Sequence, residues 1–392
     1  MKSFVIPEDQ VARVIGAALA DEAARSFNRH FDFLTIASWS GDTPLGEGGV
    51  ALSPDEIKIC GVRVAEFFGQ PRDLLEGAAS ARIADWAAVV ADAIGAKLEH
   101  FTFKSAARDE RNAVCRHRAD EIFQDAAAAA NILHGRRRLL SFVAPHSLLG
   151  FELSILTPNL QGIESIDVRG MPPEQLSKSL SYGDVLVATP TLWRYMMREK
   201  LTAPDNTMAV AFGESMTPEL AAQMRTAGFG VLRELYGSTE TGLIGWRDTP
   251  GEHFVLFDHW RGGDGLKRVG PGGVERDVDA MDFIEWRDER SFGLGGRRDG
   301  AVQIGAVNVI PDDVARRLCE HPLIADCAVK VGRRGDGVDR LIAHIVLNKG
   351  RQPDDRTARE IDAWCRTTLR QQERPRIYHF EKSLGAKEKG AG

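Results

Sequence analysis

From Arg137 to Gly237, short apolar runs alternate with helical stretches, and this alternation limits the fold more than any other property of the chain. RLLSFV is a short apolar run suited to a buried strand. DVLVAT follows it, then the helical TLWRYMMREK. AVAFG reads as the next strand, TPELAAQMRTAG as a helix and VLRELYG as another strand, with Gly, Pro, Ser or Thr at the joints. This alternation of strand and helix predicts a parallel sheet covered by helices. In such sheets ligands bind at the carboxyl ends of the strands, where the joints lie.

The flanking segments read differently. Between Pro7 and Leu98, EDQVARVIGAALADEAARSF and ARIADWAAVVADAIG place apolar residues at helical spacing. The segment RDERSFGLGGRRD, Arg287 to Asp299, is rich in charge and Gly and reads as a turn or linker. After it come strand AVQIG, helix PDDVARRLCEH, strands DCAVKV and LIAHIVL, helix DRTAREIDAWCRTTLRQ and strand RIYHFE. A chain of 392 residues is too long for one compact core. The expected architecture is therefore α/β. A large N-terminal domain, 1–296, has helix-covered, mostly parallel sheets, with 1–100 mostly helical. A small mobile α+β domain, 297–392, follows a Gly-rich joint about which domains rotate.

Composition narrows the function classes. The net charge of −6 gives no basic face for a nucleic acid and no reason to expect an anionic membrane surface as partner. The start MKSFVIPEDQ has no apolar run of the signal-peptide kind, and no stretch of about 18 apolar residues occurs. The five cysteines are scattered without a CxxC pair, which reads as free thiols in a reducing cytoplasm.

The string LYGSTETG, Leu235 to Gly242, follows a predicted strand and so sits at its carboxyl end. It resembles the Tyr-Gly-x-Thr-Glu loop of the adenylate-forming superfamily, which includes acyl-CoA and aryl-CoA ligases, nonribosomal peptide adenylation domains and luciferase. The resemblance implies that Tyr236, Gly237 and Ser238 line a nucleotide site. Tyr236 would stack on adenine, Thr239 would bond a phosphate oxygen and Glu240 would ligate magnesium. These residue types suit the chemistry, because carboxylate attack on the α-phosphorus builds up negative charge that a hard cation and hydroxyl donors stabilise.

Further matches occur in the family's order. FGESMTPEL resembles its Gly-rich adenine-contacting turn, with Gly213 and Glu214 along the adenine and acyl pocket. MDFIEW resembles its Thr-Gly-Asp segment with Thr and Gly replaced, leaving Asp282 to accept hydrogen bonds from the ribose hydroxyls. GRRDGAVQIGAVNVIPDDV implies that Arg297 bonds ribose or phosphate and that Asp299 is the hinge. FVAPHSLLGFELSILTPNL implies His146 and Gly150 beside the acyl pocket; the plainer reading of His146 is a satisfied core or capping histidine. The resemblance runs from about residue 45 onward. DLLEGAASARIADWAAVV and the CRH at Cys115 to His117 are similar to a bacterial 4-coumarate–CoA ligase-like subgroup.

Three further places depart from the family pattern. Where the family has a Gly-rich phosphate loop ending in Lys, this chain has SAARDERNAVCRH, with Ala106, Ala107, Arg108 and Asp109 in place of hydroxyl and Gly residues and Ala113 in place of Lys. Ala306 replaces a Gly that lines the family's pantetheine tunnel. At the end, SLGAKEKGAG puts Ala391 at the catalytic Lys position, so that role falls to Lys387 or Lys389. The leading expectation is an ATP-dependent acid ligase for a small aromatic or acyl carboxylate, using ATP/AMP and Mg2+ and transferring the acyl group to CoA or a carrier protein. The alternative is a degenerate, non-adenylating homologue that binds a nucleotide, an acyl-adenylate or thioester, or a partner enzyme. Oligomeric state is left open.

Overall fold

The computed structural model describes residues 5–76, 82–105, 114–298, 300–304, 307–333 and 339–384. The chain divides into two compact units: Met1–Asp279 with Trp286–Gly293, and Ala280–Glu285 with Leu294–Gly392. The alternating segment forms the central sheet of the larger unit. Its strands are preceded by a hairpin of β1 (His100–Lys104) and β2 (Val114–Arg118), and are β3 (Arg138–Ser141), β4 (Glu164–Asp167), β5 (Val185–Ala188), β6 (Thr207–Phe212), β7 (Phe229–Ser238), β8 (Gly242–Asp248) and β9 (Phe254–Leu256). The order β4-β3-β5-β6-β7 is parallel throughout. β8 and β9 then continue the sheet antiparallel.

Every residue of β5 and β6 is buried, which is why those strands read as unbroken apolar runs. The helices that follow them start alike. Thr189 and Thr217 accept hydrogen bonds from the backbone N–H groups of Leu192 and Leu220, and a Pro occupies each first turn. Trp193, fully buried, packs edge-on against Phe229 at 5.1 Å and donates its indole N–H to the Val210 carbonyl at 3.2 Å. Met196, Leu220, Met224 and Leu232 complete that layer.

The N-terminal helices Glu8–Phe27, Phe33–Ser38, Pro54–Phe67 and Ile83–Ala96 precede the hairpin. The helix Pro54–Phe67 opens on a reciprocal cap, Ser53 Oγ with the Glu56 N–H and Glu56 Oε2 with the Ser53 N–H. Strand β1 (HFTFK) escaped the sequence reading; its alternation covers only five residues directly behind a long helical pattern. It buries Phe101 and Phe103 in an aromatic cluster with Phe67 and Phe151, whose ring centroids lie 4.8 to 6.4 Å apart.

The segment Arg287 to Asp299, expected as a turn or linker, contains a strand instead, Ser291–Arg297. Only its start is a turn. Asp288 accepts from the Arg290 and Ser291 N–H groups at 2.7 Å, and Phe292 then stacks on Phe254 at 5.6 Å while Ser291 and Phe292 pair with β9. Apolar contact at one residue outweighs the Gly-rich composition around it.

In the smaller unit, Ile324–Arg333 pairs antiparallel with Asp339–Leu347, and Ile377–Glu381 adds parallel to the latter. Val314 and Leu318 of helix Pro311–Leu318, and Ile361 and Cys365 of helix Asp355–Thr368, pack on Val329, Ala343 and Ile345. This is the expected α+β arrangement, and the chain as a whole is α/β as expected.

Phe151, fully buried in the aromatic cluster, offers a test of this packing. Phe151→Ala is expected to lower unfolding stability by about 3–5 kcal/mol, measured by urea denaturation. Val274→Ala, at a position 74% exposed, should stay within about 0.5 kcal/mol.

Candidate active site

The carboxyl edge of the parallel strands carries the expected residues of the larger unit. His146 lies beyond β3, Gly213 and Glu214 beyond β6, and Tyr236 to Glu240 at the end of β7. The β7–β8 hairpin is built around its polar turn. Ser238 Oγ lies 3.1 Å from Thr241 Oγ1 and accepts from the Glu240 N–H at 3.3 Å, and the Thr241 N–H donates to the Ser238 carbonyl at 3.3 Å. Ser238 therefore organises the turn, and Glu240 is exposed at its tip.

Both glycines of the string are required by close approach. A Cβ on Gly237 would lie 2.3 Å from the Gly242 carbonyl oxygen. Gly242 has φ +81°, and its Cβ would lie 2.3 Å from Asp125 Oδ2. A register shift between Tyr236 and Gly237 re-aims the strand at this point, as bulges beside functional sites do. Tyr236 is 9% exposed, and its ring packs on Phe254 and Phe292 at 5.7 and 5.6 Å.

Beneath the hairpin lies a buried polar network that sequence reasoning missed. Asp125, on helix Ala119–Ile132, accepts from the Leu243 N–H at 3.1 Å and from Arg268 at 2.7 and 3.2 Å, and His259 Nε2 lies 2.8 Å from it. Arg268 also donates to the carbonyls of Thr241 and Glu121. His117, at the end of β2, donates from Nε2 to the Thr239 carbonyl at 2.7 Å. Burial opposes ionisation of Asp125, but Arg268 and His259 outweigh it and hold the group below its ordinary value. Burial also holds the His117 imidazole below its ordinary value, hence neutral near pH 7. Neighbouring Glu152 is fully buried; burial and then the charge of Asp125 push its carboxyl well above the ordinary range. The available sequence signal was the three acids Asp120, Glu121 and Asp125 on an Ala-rich helix, of which Glu121 and Asp125 lie one turn apart.

The other candidates have defined surroundings. Glu214 accepts from Thr191 Oγ1 at 2.8 Å and pairs with Arg194 at 3.2 Å, which ties the loop after β6 to the helix after β5. Gly213 has φ +86°, a conformation that suits glycine. Buried Glu234 accepts from the Met216 N–H at 2.9 Å and from Arg247, linking that loop to β7 and β8. His146 Nε2 faces Asp21 of the first helix at 3.7 Å. A Cβ on Gly150 would lie 2.1 Å from the Ala144 carbonyl oxygen, so Gly150 is needed for the turn around His146.

Asp282 and Arg297 belong to the smaller unit, on adjacent strands Asp282–Trp286 and Ser291–Arg297. The Arg298 N–H donates to the Met281 carbonyl at 2.9 Å, which places Asp282 and Arg297 one residue inside that bond. Asp299, the replaced phosphate-loop positions Ala106 to Asp109 and Ala113, Ala306, Lys387, Lys389 and Ala391 lie outside the described residues. The residues bounding the phosphate-loop segment are described. Cys115 lies near enough to Glu240 that its thiol is pushed up to about 11, by burial first and by the Glu240 charge second.

With this geometry in place, the relatives are informative. Residues 313–390 match the AMP-binding enzyme C-terminal domain. A 4-coumarate–CoA ligase from Halorhodospira halophila is 32% identical over 301 residues, 75% of this chain and 75% of that protein. Another, from Rhodobacter capsulatus, is 26% identical over 358 residues, 86% of this chain and 87% of that protein. An amide bond synthetase from Marinactinospora thermotolerans has a TM-score of 0.60 at 15% identity, covering 95% of this chain and 91% of that one. The o-succinylbenzoate–CoA synthetase of Bacillus subtilis gives 0.58 at 17% identity; it covers 70% of this chain, which spans 64% of that one. These two structural likenesses speak for the fold. The chain belongs to the adenylate-forming family of AMP-dependent acid–thiol ligases that includes the 4-coumarate–CoA ligases.

Two outcomes follow from the geometry. Gly242→Ala is expected to cost at least about 1–3 kcal/mol, read from the thermal or urea midpoint, because it forces a left-handed backbone on a side chain and crowds Asp125. For Glu152 the sign is opposite to that of a paired carboxylate. The folded protein keeps a proton that the unfolded chain releases above about pH 4.3, so stability falls as pH rises from there. Glu152→Gln retains a neutral group of the same shape. It should gain stability relative to the parent as pH rises above about 4.3, measured as the difference in urea midpoints.

Proposed function

We propose that this chain is an ATP-dependent acid ligase that activates a small aromatic or acyl carboxylic acid as its adenylate and passes the acyl group to the thiol of CoA or of a carrier protein. In the first step a carboxylate oxygen bonds to the α-phosphorus of ATP and pyrophosphate leaves. In the second the thiol sulfur bonds to the acyl carbon and AMP leaves. The observation that carries the proposal is the hairpin turn Ser238–Gly242, which presents the Glu240 carboxylate and Thr239 at the carboxyl edge of a parallel sheet.

In this reading Thr239 donates its hydroxyl to a phosphate oxygen, Tyr236 and the Gly213–Glu214 turn border the adenine, and Asp282 and Arg297 hold the ribose. His146 and Gly150 border the acyl group. Lys387 or Lys389 bridges the carboxylate and the α-phosphate, and rotation near Asp299 of the smaller domain exchanges the two half-reactions. Among the described residues no group of three or more His, Cys, Asp or Glu could hold a metal ion. A single exposed carboxylate fits a magnesium ion that is bound mainly by nucleotide phosphates and completed by Glu240. Such an ion would supply charge neutralisation on those phosphates. No helix among the described residues is long and apolar enough to cross a membrane. The five cysteines are free thiols, which suits a reducing cytoplasm. The likeness to 4-coumarate–CoA ligases favours the ligase over the non-adenylating alternative.

The test is pyrophosphate–ATP exchange over a panel of aryl and fatty acids. Exchange with at least one acid is expected, and its absence for every acid with folded protein would overturn the proposal. Glu240→Gln should lower the exchange rate by roughly 10²–10³, the scale of losing one preorganised charge-stabilising group.

A further inference from the structure

We propose that His117 is a positioning residue for adenylation: its Nε2–H grips the Thr239 carbonyl and so sets the direction in which the Thr239 hydroxyl and the Glu240 carboxylate leave the turn. This inference rests on the ligase reading of the hairpin.

The geometry limits what His117 does. A carbonyl oxygen only accepts, so Nε2 carries the proton in the 2.7 Å contact with Thr239. The imidazole is buried, 6% exposed, and its ring meets Phe103 edge-on at 6.0 Å. It is thus set in the same wall of rings that fixes β1. The partner is the backbone of Thr239 itself, the residue whose side chain the ligase reading aims at phosphate.

The contact fills a gap in the turn's own bonding. The hairpin's internal hydrogen bonds join Ser238, Glu240 and Thr241, and its far side is tied down by Asp125 at the Leu243 N–H and Arg268 at the Thr241 carbonyl. The Thr239 carbonyl lies between these two sets of bonds and is taken by His117. Asp125 and His117 come from one continuous stretch, β2 and the helix that follows it. That stretch begins at Val114, directly after the segment that stands in sequence where the family binds phosphate. His117 thus couples the position of the Thr239–Glu240 pair to the strand that leads out of that segment. Arg268 and Asp125 also brace the hairpin, but they hold residues on its far side and are fully buried ions whose removal endangers folding. His117, neutral and holding one backbone group, is the member of the set whose loss changes direction rather than fold.

Two variants separate the donor from the bulk. His117→Phe fills the space without a donor. In His117→Gln the side-chain amide N–H reaches about as far as Nε2 and restores one. Three quantities are read for each: melting temperature, hydrogen–deuterium exchange of the amides of residues 236–243, and kcat and KM for the acid in pyrophosphate exchange. His117→Phe is expected to melt within a few degrees of the parent and to lose protection in 236–243 alone. Its kcat should fall about 10–100-fold, with KM for the acid changed less than about threefold, because binding is kept and transition-state alignment is lost. His117→Gln should recover most of the protection and most of the rate. The proposal is overturned if His117→Phe keeps both parental protection in 236–243 and parental kcat, or if His117→Gln is no better than His117→Phe. If the parent shows no exchange with any acid, the ligase reading fails, and the amide protection of the three proteins still decides whether His117 holds the turn.

Discussion

The ion pair between Asp125 and Arg268 is the constraint on which the candidate site depends. Both groups are essentially without solvent, and a buried charge that is not paired and hydrogen-bonded costs several kcal/mol. That cost is offset only while every partner stays in place: the Leu243 N–H, the Thr241 and Glu121 carbonyls, and His259. The partners belong to β8, to the turn, to the helix after β2 and to the loop near Trp260. The pair is held by one arrangement of these four segments, and that arrangement holds the tip of the β7–β8 hairpin at the sheet's carboxyl edge. The upward shift of the Glu152 carboxyl follows from the same rule: burial and then the charge of Asp125 oppose its ionisation, and Arg268, already engaged by Asp125, only partly offsets them.

The sheet supplies the other half of the positioning. Parallel strands β3, β5, β6 and β7 end on one edge, so residues distant in sequence, His146, Thr191, Glu214 and Tyr236, emerge on the same side. Short polar links then join neighbouring strand ends, Thr191 with Glu214 and Glu234 with the loop before helix Pro218–Thr226. Glu234 sits opposite Arg247 on β8 and bonds it, so the same carboxylate also fixes the pairing of the hairpin's two legs.

What could be read from the sequence divides along physical lines. Strands β3, β5, β6 and β7 were legible because both faces are covered, which leaves mostly apolar runs, whereas β4 (ESID), partly exposed at the end of the sheet, was not. The helices after β5 and β6 were legible as the stretches between those runs, with Thr and Pro at the joints. The turn string was legible through its resemblance to the family's loop, and the structure adds the reason for its glycines, contacts of 2.3 Å. The β1–β2 hairpin was not legible: β1 is short, and β2 is partly exposed and reads VCRHR. The strand Ser291–Arg297 was hidden by glycines and charges whose structural role depends on Phe292 finding Phe254. His117, Asp125 and Arg268 were missed because their partners lie more than a hundred residues away, and a charged residue that will be buried looks like one that will be solvated.

The tight β7–β8 connection also sets how this chain tolerates change. Both legs of the hairpin are internal strands of the sheet, and side chains alternate faces along β8. Adding or deleting one residue between Ser238 and Gly242 would shift β8 against β7 by one step and turn its side chains to the opposite faces. Arg247 would leave Glu234, and the backbone group that meets Asp125 would be replaced by its neighbour. The length of the tip is therefore locked independently of which side chains it carries, so related chains should keep its spacing.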